Sequence, residues 1–168
     1  KKVLVVGKGN GLVSEYLKLA GIKIVVLDID ETLKPDVIAS VLKMPFANNE
    51  FDAVLCAQVL EHLSYEDFFK AISEIRRVAK TGAVISLPHF GPAIRFLFKF
   101  PLFSEIKFMI KLPYPKVHKF KGEHYWEIGK RGYSLKKIKK EIIKSGMVIE
   151  KDYIVFENPL HHFFVLKK

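Results

Sequence analysis

The sequence predicts an α/β fold: a mostly parallel seven-stranded sheet with helices on both faces and an antiparallel C-terminal edge strand. Three observations predict it. Short uncharged runs rich in Val, Ile and Leu recur along the chain, stretches with apolar residues at helical spacing separate most of them, and the last two runs follow each other with no helix between. With 168 residues, 49% hydrophobic and 27% charged, the chain holds enough apolar material for one core and is read as a single domain over 1–168.

The elements follow in order. Residues 3–6 form a strand, Gly7-Lys8-Gly9-Asn10-Gly11 a turn, and 12–20 a helix with Leu12, Val13, Tyr16, Leu17 and Ala20 as its apolar residues. A second strand over 22–27 ends at Asp28, a third fits 37–42, and a fourth spans 51–57 after the turn-forming pair Asn48-Asn49. Only residues 30–36 separate strands two and three, too few for a helix. Ser64 caps a helix that carries Phe68, Ile72, Ile75 and Ala79 on one face. The fifth strand, 83–87, is stopped by Pro88. Ser134 opens a helix with Leu135, Ile138 and Ile142 inward that ends at Gly146, and strands over 147–156 and 162–166 close the fold.

In such sheets ligands bind beyond the carboxyl ends of the strands, which gathers the glycine turn, Asp28, Gln58 and His89 at one edge. Glycines after a strand let backbone approach a ligand closely, and a carboxylate at the end of the next strand can accept from both hydroxyls of a ribose. A phosphate-binding loop is disfavoured, because Lys8 sits inside the glycines and no Ser or Thr follows it.

Three stretches together resemble the type 11 group of class I S-adenosylmethionine-dependent methyltransferases, which have a Rossmann-like fold. They are Val3-Leu4-Val5-Val6-Gly7-Lys8-Gly9-Asn10-Gly11, then Val26-Leu27-Asp28-Ile29, then the run from Met44-Pro45-Phe46 through Phe51-Asp52 to Leu60-Glu61-His62-Leu63. The resemblance implies S-adenosylmethionine as cofactor, with Gly7, Gly9 and Gly11 beside its methionine and ribose parts and Asp28 on the ribose hydroxyls. It further implies Ile29 packed on adenine, Val41 and Leu42 presenting backbone to its edge, and Gln58 lining the methyl-donor site. Val5, Lys8 and Ser40 depart from the family pattern. These departures motivate an alternative, a non-catalytic S-adenosylmethionine-binding scaffold or regulatory subunit. A nicotinamide-dependent oxidoreductase using the same glycine turn is a further alternative.

The formal charge is +10, from 28 Lys and Arg against 18 Asp and Glu, and residues 89–122 carry +6 of it. That segment holds Arg95, Lys99, Lys107, Lys111, Lys116, Lys119 and Lys121 against Glu105, together with seven of the 14 Phe. The i,i+4 spacing of Arg95 with Lys99 and of Lys107 with Lys111 predicts two short amphipathic helices broken near Pro101, forming a lid over 89–122. Such a lid suits a small or lipid-like, anionic acceptor or rests on an anionic membrane surface; nucleic acid is the alternative partner.

Candidate catalytic residues are His89, after the fifth strand, and His124 with Glu127, where the lid returns. His62 is read as stabilising its turn. His161-His162 shows no third ligand, so no metal site is expected. Cys56 is the single cysteine, which excludes an intramolecular disulfide and points to a reducing compartment. No 18-residue uncharged apolar run or leader is present, so a cytoplasmic protein is expected, with peripheral membrane contact as an option. The chain opens at Lys1 directly on a strand-like run, as a chain shortened upstream would.

Overall fold

Uncharged runs with both faces apolar bury best when paired side by side under helices, and the chain does this. The computed structural model describes residues 1–101, 104–120 and 122–168. The elements are β1 (Lys2–Val6), α1 (Leu12–Leu19), β2 (Lys23–Asp28), β3 (Val37–Ile38), β4 (Phe51–Ala57), α2 (Tyr65–Val78), β5 (Ala79–Pro88), β6 (Ala93–Phe98), β7 (Ile106–Lys111), α3 (Leu135–Lys144), β8 (Val148–Ile154) and β9 (His161–Lys167). Seven strands form one sheet in the order β3-β2-β1-β4-β5-β9-β8, while β6 and β7 form a separate hairpin. β1, β2, β3, β4 and β5 pair in parallel, and β9 runs antiparallel to both β5 and β8.

The chain leaves β1 toward β2 on one side and later leaves β4 toward β5 on the other. Right-handed crossovers in opposite directions put α1 and α2 on opposite faces of the sheet. Helix α2 buries Phe68, Ala71, Ile72, Ile75 and Val78, and α3 buries Ile138 and Ile142. The core also takes Trp126 and Ile128 from the segment that returns from the lid. Ser134 caps α3 as expected, its hydroxyl accepting from Lys137 N–H at 3.2 Å. Ser64 starts α2, but its hydroxyl donates to Asp67 (3.0 Å) instead of capping a backbone amide.

Three local expectations are corrected. The apolar residues from which α1 is read are mostly solvent-facing, with Leu12 71% exposed and Tyr16 70%, whereas Ser14 is buried. The helix has only eight residues and packs on β2, so one narrow stripe decides its buried side. Strand three has only two residues, because β2, its partner, ends at Asp28 opposite Ile38; the link before it is a single tight turn over residues 31–33 capped by Asp30, whose carboxylate accepts from Thr32 N–H at 2.9 Å.

The third correction concerns the lid, where the two expected helices are the strands β6 and β7. Alternation puts Ile94, Phe96 and Phe98 on one face, paired across to Ile110, Phe108 and Ile106, and puts Arg95, Lys107 and Lys111 on the other. The basic face bonds to the β8–β9 connection: Arg95 donates to the Phe156 (3.1 Å) and Glu157 (3.3 Å) carbonyls, and Lys111 to the Pro159 carbonyl (2.8 Å). Opposite, six apolar side chains stand 42–57% exposed. The β-branched and aromatic content of these stretches outweighs their helical charge spacing. Lys121 lies outside the described residues.

Gly82 sets the fit of β5 to β9: a Cβ there would lie 2.0 Å from the Leu166 carbonyl oxygen. Gly82→Ala gains at most about 1 kcal/mol from a stiffer unfolded chain. Strain in a packed interior costs about 1–3 kcal/mol and outweighs it. The expected net result is a lower urea midpoint at unchanged slope.

Candidate active site

The sheet order reverses between β1 and β4, so the turns after these strands part and leave a crevice. A cavity of about 560 Å³ fills it, lined among others by Gly7, Gly9, Asp28, Ile29, Val41 and Gln58. Gly11 and Leu42, expected beside the same ligand, lie off its lining. Gly11 caps α1 with φ 78°. The Leu42 amide is held by the Ser40 hydroxyl at 3.2 Å. Gly7 has φ +84°, and a Cβ on it would meet the Val59 side chain at 2.4 Å, so only glycine fits where the turn passes the segment after β4.

The Asp28 carboxylate closes the glycine turn by accepting from Lys8 N–H (2.6 Å) and Asp30 N–H (3.0 Å) on different oxygens. Each oxygen keeps a lone pair for a further donor. Next to it Ile29 is 74% exposed at the cavity rim. The Lys8 ammonium reaches across to the carbonyls of Leu33 and Lys34 and so straps the glycine turn to the 31–33 turn.

Gln58 stands between two cavities of the site. It has φ 54°, its amide N–H bonds to the Ser86 carbonyl (3.1 Å), and its side chain lines both this cavity and a second one of about 470 Å³. In the amide orientation that satisfies its neighbours, the side chain donates to Glu61 (3.2 Å) and accepts from Ser86 Oγ (3.0 Å) and Leu87 N–H (3.2 Å). Burial pushes the Glu61 carboxyl up to about 7.

His89, His124 and Glu127 all line the second cavity. His124 Nδ1 faces a Glu127 carboxylate oxygen at 3.3 Å. With that carboxylate ionised, Nδ1 carries the proton and Nε2 keeps the lone pair. His89 belongs to a chain that sequence reasoning missed: its Nδ1 lies 3.1 Å from His162 Nδ1, and His162 Nε2 lies 2.9 Å from Asp152, which pairs with Lys139 at 2.7 Å. A proton held between His162 and Asp152 makes His162 Nδ1 an acceptor, so His89 Nδ1–H donates and His89 Nε2 is left free. Burial, with smaller repulsion from His162 and Lys111, pulls the His89 imidazole down to about 4. The sequence signal for this relay, a His-His pair that follows its acid by about one strand, cannot be recognised before β8 and β9 are paired.

The profile of a family described as "Methyltransferase domain" matches residues 4–87. The chain belongs to that family. This methyltransferase domain is 37% identical over 87 residues to an uncharacterized protein of Methanocaldococcus jannaschii, a match covering 48% of this chain and 37% of that protein. Its fold is similar to that of an S-adenosylmethionine-dependent methyltransferase from Mesorhizobium loti, with TM-score 0.66 and 16% identity, covering 99% of this chain and 90% of that one. It is also similar to a Burkholderia thailandensis 1,6-didemethyltoxoflavin-N1-methyltransferase with bound 1,6-didemethyltoxoflavin and S-adenosylhomocysteine, with TM-score 0.62 and 13% identity, covering 99% and 69%.

S-adenosylmethionine is the cofactor that membership indicates, and the first cavity of this methyltransferase domain fits it. The backbone at Gly9 is open, with nothing within 4 Å of a Cβ position. The Asp28 oxygens have spare acceptor capacity, and Ile29 offers an apolar surface at the rim.

The His89 environment sets a pH dependence. The unfolded chain takes up this proton near 6.5 and the folded chain near 4. Between those values the unfolded state binds more protons, so stability is expected to fall as pH drops from about 6.5 to about 4. Urea unfolding at pH 7 and pH 5 is expected to show that loss, and His89→Asn to reduce it.

Proposed function

We propose that the domain transfers a methyl group from S-adenosylmethionine to a small or lipid-like acceptor held in the second cavity. The observation that carries this reading is Gln58, which lines the first cavity and the second alike and so marks where donor and acceptor would meet. S-adenosylmethionine supplies an electrophilic methyl on a sulfonium sulfur. In this reading Asp28 holds the ribose, the glycine turn admits the methionine part, and Val41 and Ile29 flank the adenine. His124, oriented by Glu127, receives at Nε2 the proton the acceptor sheds when its bond to the methyl carbon forms. His89 stays neutral at physiological pH and offers Nε2 as a hydrogen-bond acceptor that positions the substrate.

The test is calorimetric titration with S-adenosylhomocysteine, with NADH as control. Saturable binding is expected for S-adenosylhomocysteine only. Hydrogen bonds to a charged acceptor are worth about 1.5–3 kcal/mol, so Asp28→Ala should bind about 10- to 100-fold more weakly. NADH binding in place of S-adenosylhomocysteine would turn the reading toward an oxidoreductase. Binding without turnover over a broad acceptor panel would turn it toward a scaffold.

The lipid-like character of the acceptor and an anionic membrane surface as partner are supported by the exposed apolar face of the β6–β7 hairpin. Lys116 and Lys119, exposed in the segment after the hairpin, add positive charge. Sedimentation with phosphatidylserine-containing vesicles at low salt is expected for the native chain and is expected to be lost in Phe96→Ser/Phe108→Ser. Equal sedimentation of both proteins, or of neither, counts against lipid contact through this face.

A further inference from the structure

Three side chains converge at the proposed methyl-transfer site: the His124 of that reading and two others, Glu61 and His62, that it gives no role. A carboxylate oxygen of Glu61 and one ring nitrogen each of His62 and His124 lie within 4.8 Å of one another. We propose that Glu61, His62 and His124 bind a divalent transition-metal ion of the zinc class where the two cavities meet.

The donor set selects the ion. Two imidazoles and one carboxylate suit Zn²⁺ and its neighbours in the first transition row, whereas Mg²⁺ and Ca²⁺ prefer oxygen ligands throughout. The second layer of contacts is that of metal-binding histidines, whose other ring nitrogen donates to a carbonyl or carboxylate. His62 Nδ1 lies 3.0 Å from the Glu123 carbonyl oxygen and must donate to it, and His124 Nδ1 lies 3.3 Å from Glu127. Both rings are thereby left with a lone pair on Nε2.

Glu61 supplies an independent observation. It is 0% exposed, and its Oε2 has no hydrogen-bond partner among the described residues. A buried carboxylate oxygen with nothing to bind is costly, and a cation removes the cost.

The backbone around the three ligands is held without any ion. Tyr125 N–H donates to the Glu61 carbonyl at 2.8 Å, and the Trp126 indole donates to the Leu63 carbonyl at 3.1 Å. Ligand atoms around a tetrahedral Zn²⁺ with bonds of about 2.0–2.1 Å stand roughly 3.3 Å apart, so the three groups need to close by up to about 1.5 Å. His62, the exposed member, has the freedom to supply that movement. His62 lines the first cavity and His124 the second, which gives the ion an entry path and leaves a coordination position for water or for an acceptor atom. In the ion-loaded protein the ion, in place of the His124 imidazole, would lower the proton affinity of a bound acceptor.

Binding of the ion is read without any turnover, so its failure and the failure of the methyl-transfer reading are separate results. Protein stripped with a chelator is titrated with ZnCl2 by calorimetry and with CoCl2 by visible absorption. The expected result is one equivalent of Zn²⁺ bound saturably and a Co²⁺ d–d band of a low-coordinate site. His62→Ala and His124→Ala are expected to lose both signals, and Glu127→Gln to weaken Zn²⁺ binding about 10- to 100-fold, as loss of an outer hydrogen bond does. His89→Asn, in the separate His89–His162 pair, is expected to bind as the native protein does. Circular dichroism of the metal-free variants checks folding, and Glu61→Gln, which keeps the side-chain shape, replaces any variant that fails to fold. No saturable binding, undiminished binding in the His62 and His124 variants, or loss confined to His89→Asn would overturn the proposal.

Discussion

Everything in the site depends on β1 being paired in parallel on both of its edges, to β2 and to β4. The chain must leave the two sides of this strand in opposite directions, and the turns that follow cannot close over its end. The crevice that results is a consequence of topology. What the sequence adds is a turn thin enough not to fill it, since Gly7 passes Val59 at a distance no side chain would tolerate. The Asp28 carboxylate, fixed by two backbone amides, then faces that crevice with spare acceptor capacity.

A second constraint builds the other half of the site. The segment around Trp126 returns from the hairpin and locks onto the turn after β4 through the Tyr125 amide and the Trp126 indole, while the indole itself is buried against Tyr65 and Phe68. Buried apolar area and two hydrogen bonds act together here, so the position of His124 and Glu127 follows from core packing. His89 is placed independently, by antiparallel pairing of β5 with β9, which brings it to His162 and through it to Asp152. Two histidines, one after β5 and one in the segment returning from the hairpin, thus flank one cavity, each oriented by a carboxylate, but at different removes.

The hairpin shows how a local pattern misleads. Lysines four residues apart fit a helix face, yet in β6 and β7 the same residues alternate, and Arg95, Lys107 and Lys111 turn inward to carbonyls and an acid of the β8–β9 connection. Three of the seven basic residues that single out this stretch therefore hold the hairpin to the body. Its hydrophobic residues are what face solvent. Short segments are where such errors concentrate, because six residues sample either period too briefly to separate them.

The sequence by itself determined the order and type of the sheet elements, the short link after β2, the glycine turn with Asp28, and the gathering of Gln58 and His89 at the carboxyl ends of the strands. Those features are local: strand runs, capping residues and glycines act within a few positions along the chain. Tertiary structure alone decided that Leu42 and Gly11 stand off the cavity, that Lys8 straps the turn over residues 31–33, that α1 shows its apolar residues to solvent, and that Glu61, His62 and His124 converge. The Lys8 strap, the packing of α1 and the convergence of the three ligands depend on contacts between residues far apart in sequence, and so does the cavity that Gly11 and Leu42 miss; no spacing rule encodes a distance that only packing sets.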